Sequence, residues 1–285
     1  MTTFNINSAG ESNNERLTGK LVYTAPALPR PPLFGVDCAS IDLAEVNALY
    51  PLNAYHRIFP GTSGLLPDLT NKSSKLFRLP AHTVRHVSWD QWEPAVFRAW
   101  LGAVVQLAPP WELWLSLNHE VNRPEKKIDP ATYRTQLTEM ARVCDDYSPL
   151  VNRLSVIVTG YFLDELAGNP NRYLIDGFEL DVDRYNLRNT LYRTPEELFD
   201  PLIEAVQGTG RSSLAIPEFG GELIDTDTSV TSTNFGGEGR ANWLRDCYRY
   251  VSQAPVDAVG WWNIGGCELL DAPSRETMRT IVAMQ

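Results

Sequence analysis

Two glutamates stand where apolar, strand-like segments give way to loop residues. Glu120 closes WELWLSLNHE and Glu218 lies in LAIPEFGG. Two carboxylates delivered by the ends of different strands are what cleavage of a glycosidic bond requires. One must hold a proton for the leaving oxygen while the other stays charged as nucleophile or base. Each also has a plainer reading: Glu120 as a surface loop carboxylate, the commonest fate of a glutamate, and Glu218 as the cap of a following helix. Val121 after Glu120 makes a poor solvated face, and Gly220-Gly221 delays any helix after Glu218.

The elements around them follow a rhythm. After the proline-rich TAPALPRPP, strand-like runs occur at 32–38, 54–61, 82–90, 111–120, 152–162, 175–186, 212–220 and 256–266. Helical spacing marks 91–108, with Glu93 in its first turn, and 129–147, with Asp129 as N-cap and Pro130 at the first helical position. Thr194 and Glu197 form a capping box at the start of 194–207. Residues 238–253 and the C-terminal segment complete the helices. Eight strands interleaved with helices predict a parallel sheet closed into a (β/α)8 TIM barrel, an α/β fold. A doubly wound open sheet is the alternative, but no Gly-rich phosphate loop follows the first strand. In a barrel the carboxyl ends of the strands converge on one cavity, which brings Glu120 of the fourth strand and Glu218 of the seventh together.

Composition agrees. The chain has 285 residues, 43% hydrophobic and 21% charged, enough for a sizeable core. Residues 1–31 read as a polar arm and Pro-rich linker, and 32–285 as the barrel. The net charge of −10 argues against nucleic acid or an anionic membrane as partner and suits a neutral substrate. Eight Trp and eleven Tyr fit a cleft that covers the apolar faces of sugars, although most aromatics in any barrel are core. The first twenty residues carry no secretory signal, which makes the cytoplasm the default location. Cys38, Cys144, Cys247 and Cys267 have no paired spacing, so neither a zinc ribbon nor a disulfide framework is expected.

Taken together, these residues resemble the clan of retaining (β/α)8 glycoside hydrolases, and within it family 26, the β-mannanase family, with its actinobacterial and phage-borne relatives. His119-Glu120 is similar to the family's histidine–glutamate acid/base motif, and Pro217-Glu218-Phe219-Gly220 to its nucleophile motif. Asp183-Arg184-Tyr185-Asn186 resembles the strand-six motif whose tyrosine bonds the nucleophile, and Trp261-Trp262 the aromatic floor of the cleavage subsite. The resemblance covers 33–284. It implies Glu218 as nucleophile, Glu120 as acid/base, His119, Asp183, Tyr185, Trp261 and Trp262 as substrate-binding residues, a poly- or oligosaccharide substrate and no cofactor. VNRPEKKID replaces the aromatic-rich loop usual after the acid/base. Ser88-Trp89-Asp90 ends strand three where related chains often carry lysine, which brings Trp89 to the candidate site.

Other readings stay open at this stage. Strand alternation points His119 away from Glu120. Arg57 either orients a carboxylate or is buried in a lumen ion pair. Glu179, Asp181 and Asp183 share the inward face with Tyr185, and pair there with Arg57, Arg85 or Arg153 unless a divalent metal holds them. Cys38 and Cys267, near the ends of strands one and eight, could form a disulfide in an oxidising compartment. A different function class is a carbohydrate-binding or structural barrel of a larger assembly, such as a phage tail or virion, with the N-terminal arm docked on another chain.

Overall fold

A computed structural model of the chain describes residues 31–37, 43–59, 83–107, 111–147, 150–163, 172–186, 191–223, 239–264 and 266–285, with residues 67, 69, 79, 109 and 169 between them. The expectations for the N-terminal arm lie outside the described residues. So does Cys38; Cys267 is a buried free thiol.

The elements run β1 (Leu33–Asp37), α1 (Leu43–Leu49), β2 (Tyr55–Ile58), β3 (Val84–Trp89), α2 (Pro94–Gln106), β4 (Glu112–Leu117), α3 (Pro130–Asp145), β5 (Val151–Thr159), β6 (Glu179–Asn186), α4 (Pro195–Gly208), β7 (Leu214–Gly221), α5 (Arg240–Val251), β8 (Val256–Trp262) and α6 (Ala272–Val282). All eight strands are parallel, in the order β1-β8-β7-β6-β5-β4-β3-β2. The two end strands adjoin: Ala54 N–H donates to Phe34 O at 3.0 Å. A Cβ on residue 35 would lie 1.6 Å from Tyr55 O, so only glycine lets β1 approach β2. The result is the expected (β/α)8 barrel.

Local chemistry fixes the helix starts. Asp129 accepts from Thr132 N–H at the head of α3, and Thr194 and Glu197 form the reciprocal box at α4. Glu93, expected inside the first turn of α2, is instead its extended N-cap, with Pro94 beginning the helix.

Strand alternation separates two cores. Leu113, Leu115 and Leu117 of β4, Val156 and Val158 of β5, and Leu180 and Val182 of β6 point outward and are fully buried with Phe97, Leu101, Leu137, Met140, Leu198 and Leu202 of the helices. Burial of each such side chain is worth roughly 1.5–3 kcal/mol. The inward residues form a small apolar floor of Tyr55, Val84, Trp114, Ala215 and Ala258. Above it the lumen turns polar, with His86, Ser88, Ser116, Ser155, Asp181 and Asp183 all buried.

Burial of so many polar groups requires partners. Tyr55 Oη is 2.7 Å from His86 Nδ1, and Ser155 Oγ is 3.2 Å from His86 Nε2. Asp181 pairs with Arg153 at 2.5 Å and accepts from Ala215 N–H, while Arg153 also reaches Asp257 at 2.7 Å. Ion pairing therefore accounts for the middle acid of β6. Arg85 faces outward instead, donates to Thr83 and Leu79, and lies over Trp111.

Candidate active site

Glu120 lies beyond its strand rather than on it. β4 ends at Leu117, and Asn118 and Glu120 adopt left-handed backbone conformations with φ 54° and 50°. Such values are unfavourable for residues with a Cβ and persist only where neighbours hold them. Here Asn118 N–H donates to Trp89 O at 2.8 Å and Val121 N–H to Ile157 O at 3.0 Å. The Asn122 amide then exchanges hydrogen bonds with the backbone of Thr159. These bonds clamp the turn to the ends of β3 and β5. The turn also cancels the alternation expected for His119, because the strand period has already ended. His119 and Glu120 line the same cavity.

Glu218 reaches the lumen by a different device. Between β7 and β8 the register passes from Ile216↔Val259 to Phe219↔Trp261, so β7 spends three steps where β8 spends two. Ile216 and Phe219 both face the outer core, and the extra residue in the bulge turns Glu218 inward. Proline suits the adjoining position, since a bulge leaves a backbone group out of the ladder. A Cβ on residue 260 would meet Pro217 O at 2.3 Å, so Gly260 makes room for the bulge.

The cavity has a volume of about 290 Å³. It is lined by His119, Glu120, Arg123, Thr159, Tyr161, Tyr185, Glu218 and Trp262. Tyr185 Oη–H donates to Glu218 Oε2. His119 Nε2–H donates to Asp183 Oδ2 at 2.8 Å, and the same nitrogen is 3.1 Å from Glu218 Oε1. Glu218 Oε1 is buried and accepts no well-aligned hydrogen bond, its near neighbour being the His119 ring at 3.1 Å. Asp183 Oδ1 accepts the backbone N–H of Glu218 at 2.9 Å, tying the nucleophile candidate to β6.

Burial pushes the His119 imidazole down, but Glu218 and Asp183 outweigh it and raise it to about 10. His119 is thus an imidazolium at neutral pH. Burial pushes Glu218 up, yet His119, Arg57 and the Tyr185 hydroxyl together hold it below the usual carboxylate range. Asp183 is raised to about 7 by burial and the neighbouring Glu218 charge, against the pull of His119. The site keeps one carboxylate ionised by placing a cation beside it.

Two outcomes follow. A histidine raised above its unfolded value near 6.5 contributes stability that is complete below that pH and is lost as pH rises through about 10. The melting temperature should therefore fall between pH 7 and 10, and His119→Gln should flatten that slope. Thermal melts across this range decide it, and an equally steep decline in the variant contradicts the charge assignment. For Tyr185→Phe, loss of the hydroxyl removes a donor to Glu218 and lets its pKa rise. The acid limb of any rate profile governed by Glu218 should move to higher pH, with a roughly ten-fold loss of rate at neutral pH.

The remaining expected site residues divide. Trp262 lines the cavity and meets Phe59 edge-on at 6.1 Å. Trp261 does not: as its strand neighbour it points the other way, buried against Phe219 and Trp243, with its indole N–H on Cys267 O. Trp89 is also displaced from the site, stacked on Phe97 of α2 at 4.8 Å. Asp183 is fully buried one strand period below Tyr185, and it positions His119 and Glu218 instead of facing a ligand. Arg57 is 1% exposed beneath the cavity, where Nη1 donates to Ser116 and Nε and Nη2 have no hydrogen-bond partner. It forms no ion pair among the described residues and acts on Glu218 through space.

His119, Asp183 and Glu218 each offer a ligand atom within 4.8 Å of the others, near enough for one divalent ion. With Nε2 protonated and donating to Asp183, that nitrogen has no lone pair to offer an ion. Sequence reasoning missed Arg123, Thr159 and Tyr161. Only the position of Thr159 and Tyr161 at the end of a predicted barrel strand could have signalled them.

Neither a protein-family model nor a curated protein matches the sequence. Solved structures resemble the fold. GH26C from a Muricauda species gives a TM-score of 0.55 at 10% identity over 89% of this chain and 85% of its own. The catalytic domain of a Bacillus GH26 endo-β-1,4-mannanase gives 0.55 at 12% identity over 89% and 86%. A GH26 β-mannanase from Bacteroides ovatus gives 0.53 at 12% over 88% of each chain. At such identities the likeness establishes the (β/α)8 fold, one that glycoside hydrolases of this kind share.

Proposed function

We propose that the chain is a retaining glycoside hydrolase that cleaves β-glycosidic bonds of a polysaccharide by double displacement. The observation that carries this reading is the state of Glu218: ionised, gripped through Oε2 by Tyr185, and left with Oε1 free of hydrogen bonds at a cavity that a second glutamate also lines. An acceptor-only oxygen with an unused lone pair is what attack on an anomeric carbon needs.

In the first step Glu218 Oε1 bonds to the anomeric carbon as Glu120 gives its proton to the departing oxygen. In the second, Glu120 takes a proton from water, and the water oxygen replaces Glu218 at that carbon. The His119 imidazolium offsets the charge that Glu218 regains on release. Trp262 offers an aromatic face to the sugar in the cleavage position. With the two carboxylates and one water the proton and electron-pair transfers balance, and the reaction as written calls on no cofactor.

The test is trapping. A 2-fluoro-2-deoxy glycoside with an activated leaving group slows the second step, and the labelled peptide should contain Glu218. Label on any other carboxylate overturns the nucleophile assignment. Labelling across several β-glycosides also reads which sugar the cleavage position accepts.

A further inference from the structure

The leaving sugar of this reaction must lie on the Glu120 side of the cavity, since Glu218 attacks from the β7 side and Glu120 protonates the departing oxygen from the β4 side. The side chain that meets Glu120 there is Arg123, which also lines the cavity. Arg123 is the cation paired with Glu120. Its guanidinium splits between two carboxylates, with Nη1 on Glu120 Oε2 at 2.6 Å and Nε on Glu125 Oε1 at 2.6 Å. Nη2 takes part in neither contact, and the side chain is 45% exposed.

The two pairings differ in kind. Glu120 is 5% exposed in its side chain and fixed by the clamped turn, so Nη1 anchors the guanidinium beside the reacting oxygen. Glu125 is 59% exposed, and a solvated ion pair of that sort contributes little. An incoming anion can take its place. Arg123 also heads the segment RPEKK, three cations to one acid in a chain whose net charge is −10. Lys126 is held beside it by His119 O, with Asp90 at 3.9 Å. A half-exposed planar fork lining the cleft matches a planar anionic acceptor better than a hydroxyl.

We infer that the leaving-group subsite recognises a hexuronate, its C6 carboxylate bound by the Arg123 guanidinium in place of Glu125, with the Tyr161 ring beside the sugar. The inference rests on the proposed reading for the direction of cleavage. It makes Arg123 a specificity-determining residue, and it replaces the neutral substrate suggested by net charge with an acidic one.

Its test compares matched twins: β-linked glucuronate-containing oligosaccharides and the same oligosaccharides with their carboxyl groups reduced to primary alcohols. Calorimetric titration with the full-length protein should show the native form binding roughly ten- to hundred-fold more tightly, the range set by hydrogen bonds to a charged group. Arg123→Gln should bring the twins to within two-fold of each other, and Arg123→Lys should keep an intermediate ratio because it retains charge but loses the fork. Equal affinity of the twins for the wild-type protein overturns the inference, as does an undiminished ratio in Arg123→Gln. Failure of both twins to bind overturns it too. The proposed hydrolase reading fails separately, by absence of the Glu218 adduct in the trapping experiment.

Discussion

Glu218→Gln should lower turnover on every substrate by roughly 10⁴- to 10⁶-fold, the scale seen when a catalytic nucleophile is removed. The amide preserves shape and still accepts the Tyr185 hydroxyl, but it has no charge with which to attack carbon. The substitution also costs stability, because Glu218 is buried. The structure leaves Glu218 only 1% exposed and 3.1 Å from an imidazolium. Neutralising it removes one of the two carboxylates that raise His119, so the variant should melt at a lower temperature, most visibly near pH 6 and less so as the pH rises toward 10. Single-turnover kinetics with an activated aryl glycoside reads the first effect, and circular dichroism confirms that the fold survives. Turnover within ten-fold of wild type would remove Glu218 from the chemistry altogether.

How much of this was legible beforehand depends on whether a feature is local in sequence. The eight strands and the caps at Asp129 and Thr194 were, because hydrophobic period and capping residues act over a few positions. The meeting of Glu120 and Glu218 was, because barrel topology alone brings the ends of strands four and seven together. The bond from Tyr185 to Glu218 followed from neighbouring strands.

What escaped was decided by breaks in strand periodicity. Adjacent tryptophans on β8 must face opposite ways, yet sequence does not say which is inward; the structure chooses Trp262. His119 was misdirected because β4 stops at Leu117 and two left-handed residues re-aim the chain. A bulge inserted at Pro217 and Glu218 is equally invisible to a two-residue period. Trp89 looked available at a strand end, but an outward register commits it to the stack on Phe97. Arg123 escaped for another reason: its loop reads only as a departure from a familiar pattern, and its role comes from a fold-back onto Glu120 that no periodicity encodes.

That fold-back bears on the second large effect. Glu120→Ala should slow a natural oligosaccharide by roughly 10²- to 10⁴-fold, the usual worth of general acid–base catalysis. An aryl glycoside with a good leaving group should suffer far less in its first step, since an expelled phenolate of low basicity needs no proton. Its second step still lacks the base that activates water, so the glycosyl-enzyme should accumulate and give a burst of released phenol followed by slow turnover. Azide, a nucleophile that needs no base, should then restore turnover of the aryl substrate and leave the oligosaccharide uncut. The structure adds a qualification specific to this chain: removing Glu120 frees Arg123 Nη1, which in the native site is held at 2.6 Å. The released guanidinium should swing toward Glu125 and solvent, so Glu120→Gln, whose amide oxygen can keep that contact, is the cleaner variant. Both variants should give the burst and the azide rescue. Equal slowing of aryl glycoside and oligosaccharide, with no burst, would assign Glu120 to holding Arg123 and leave the proton to another group.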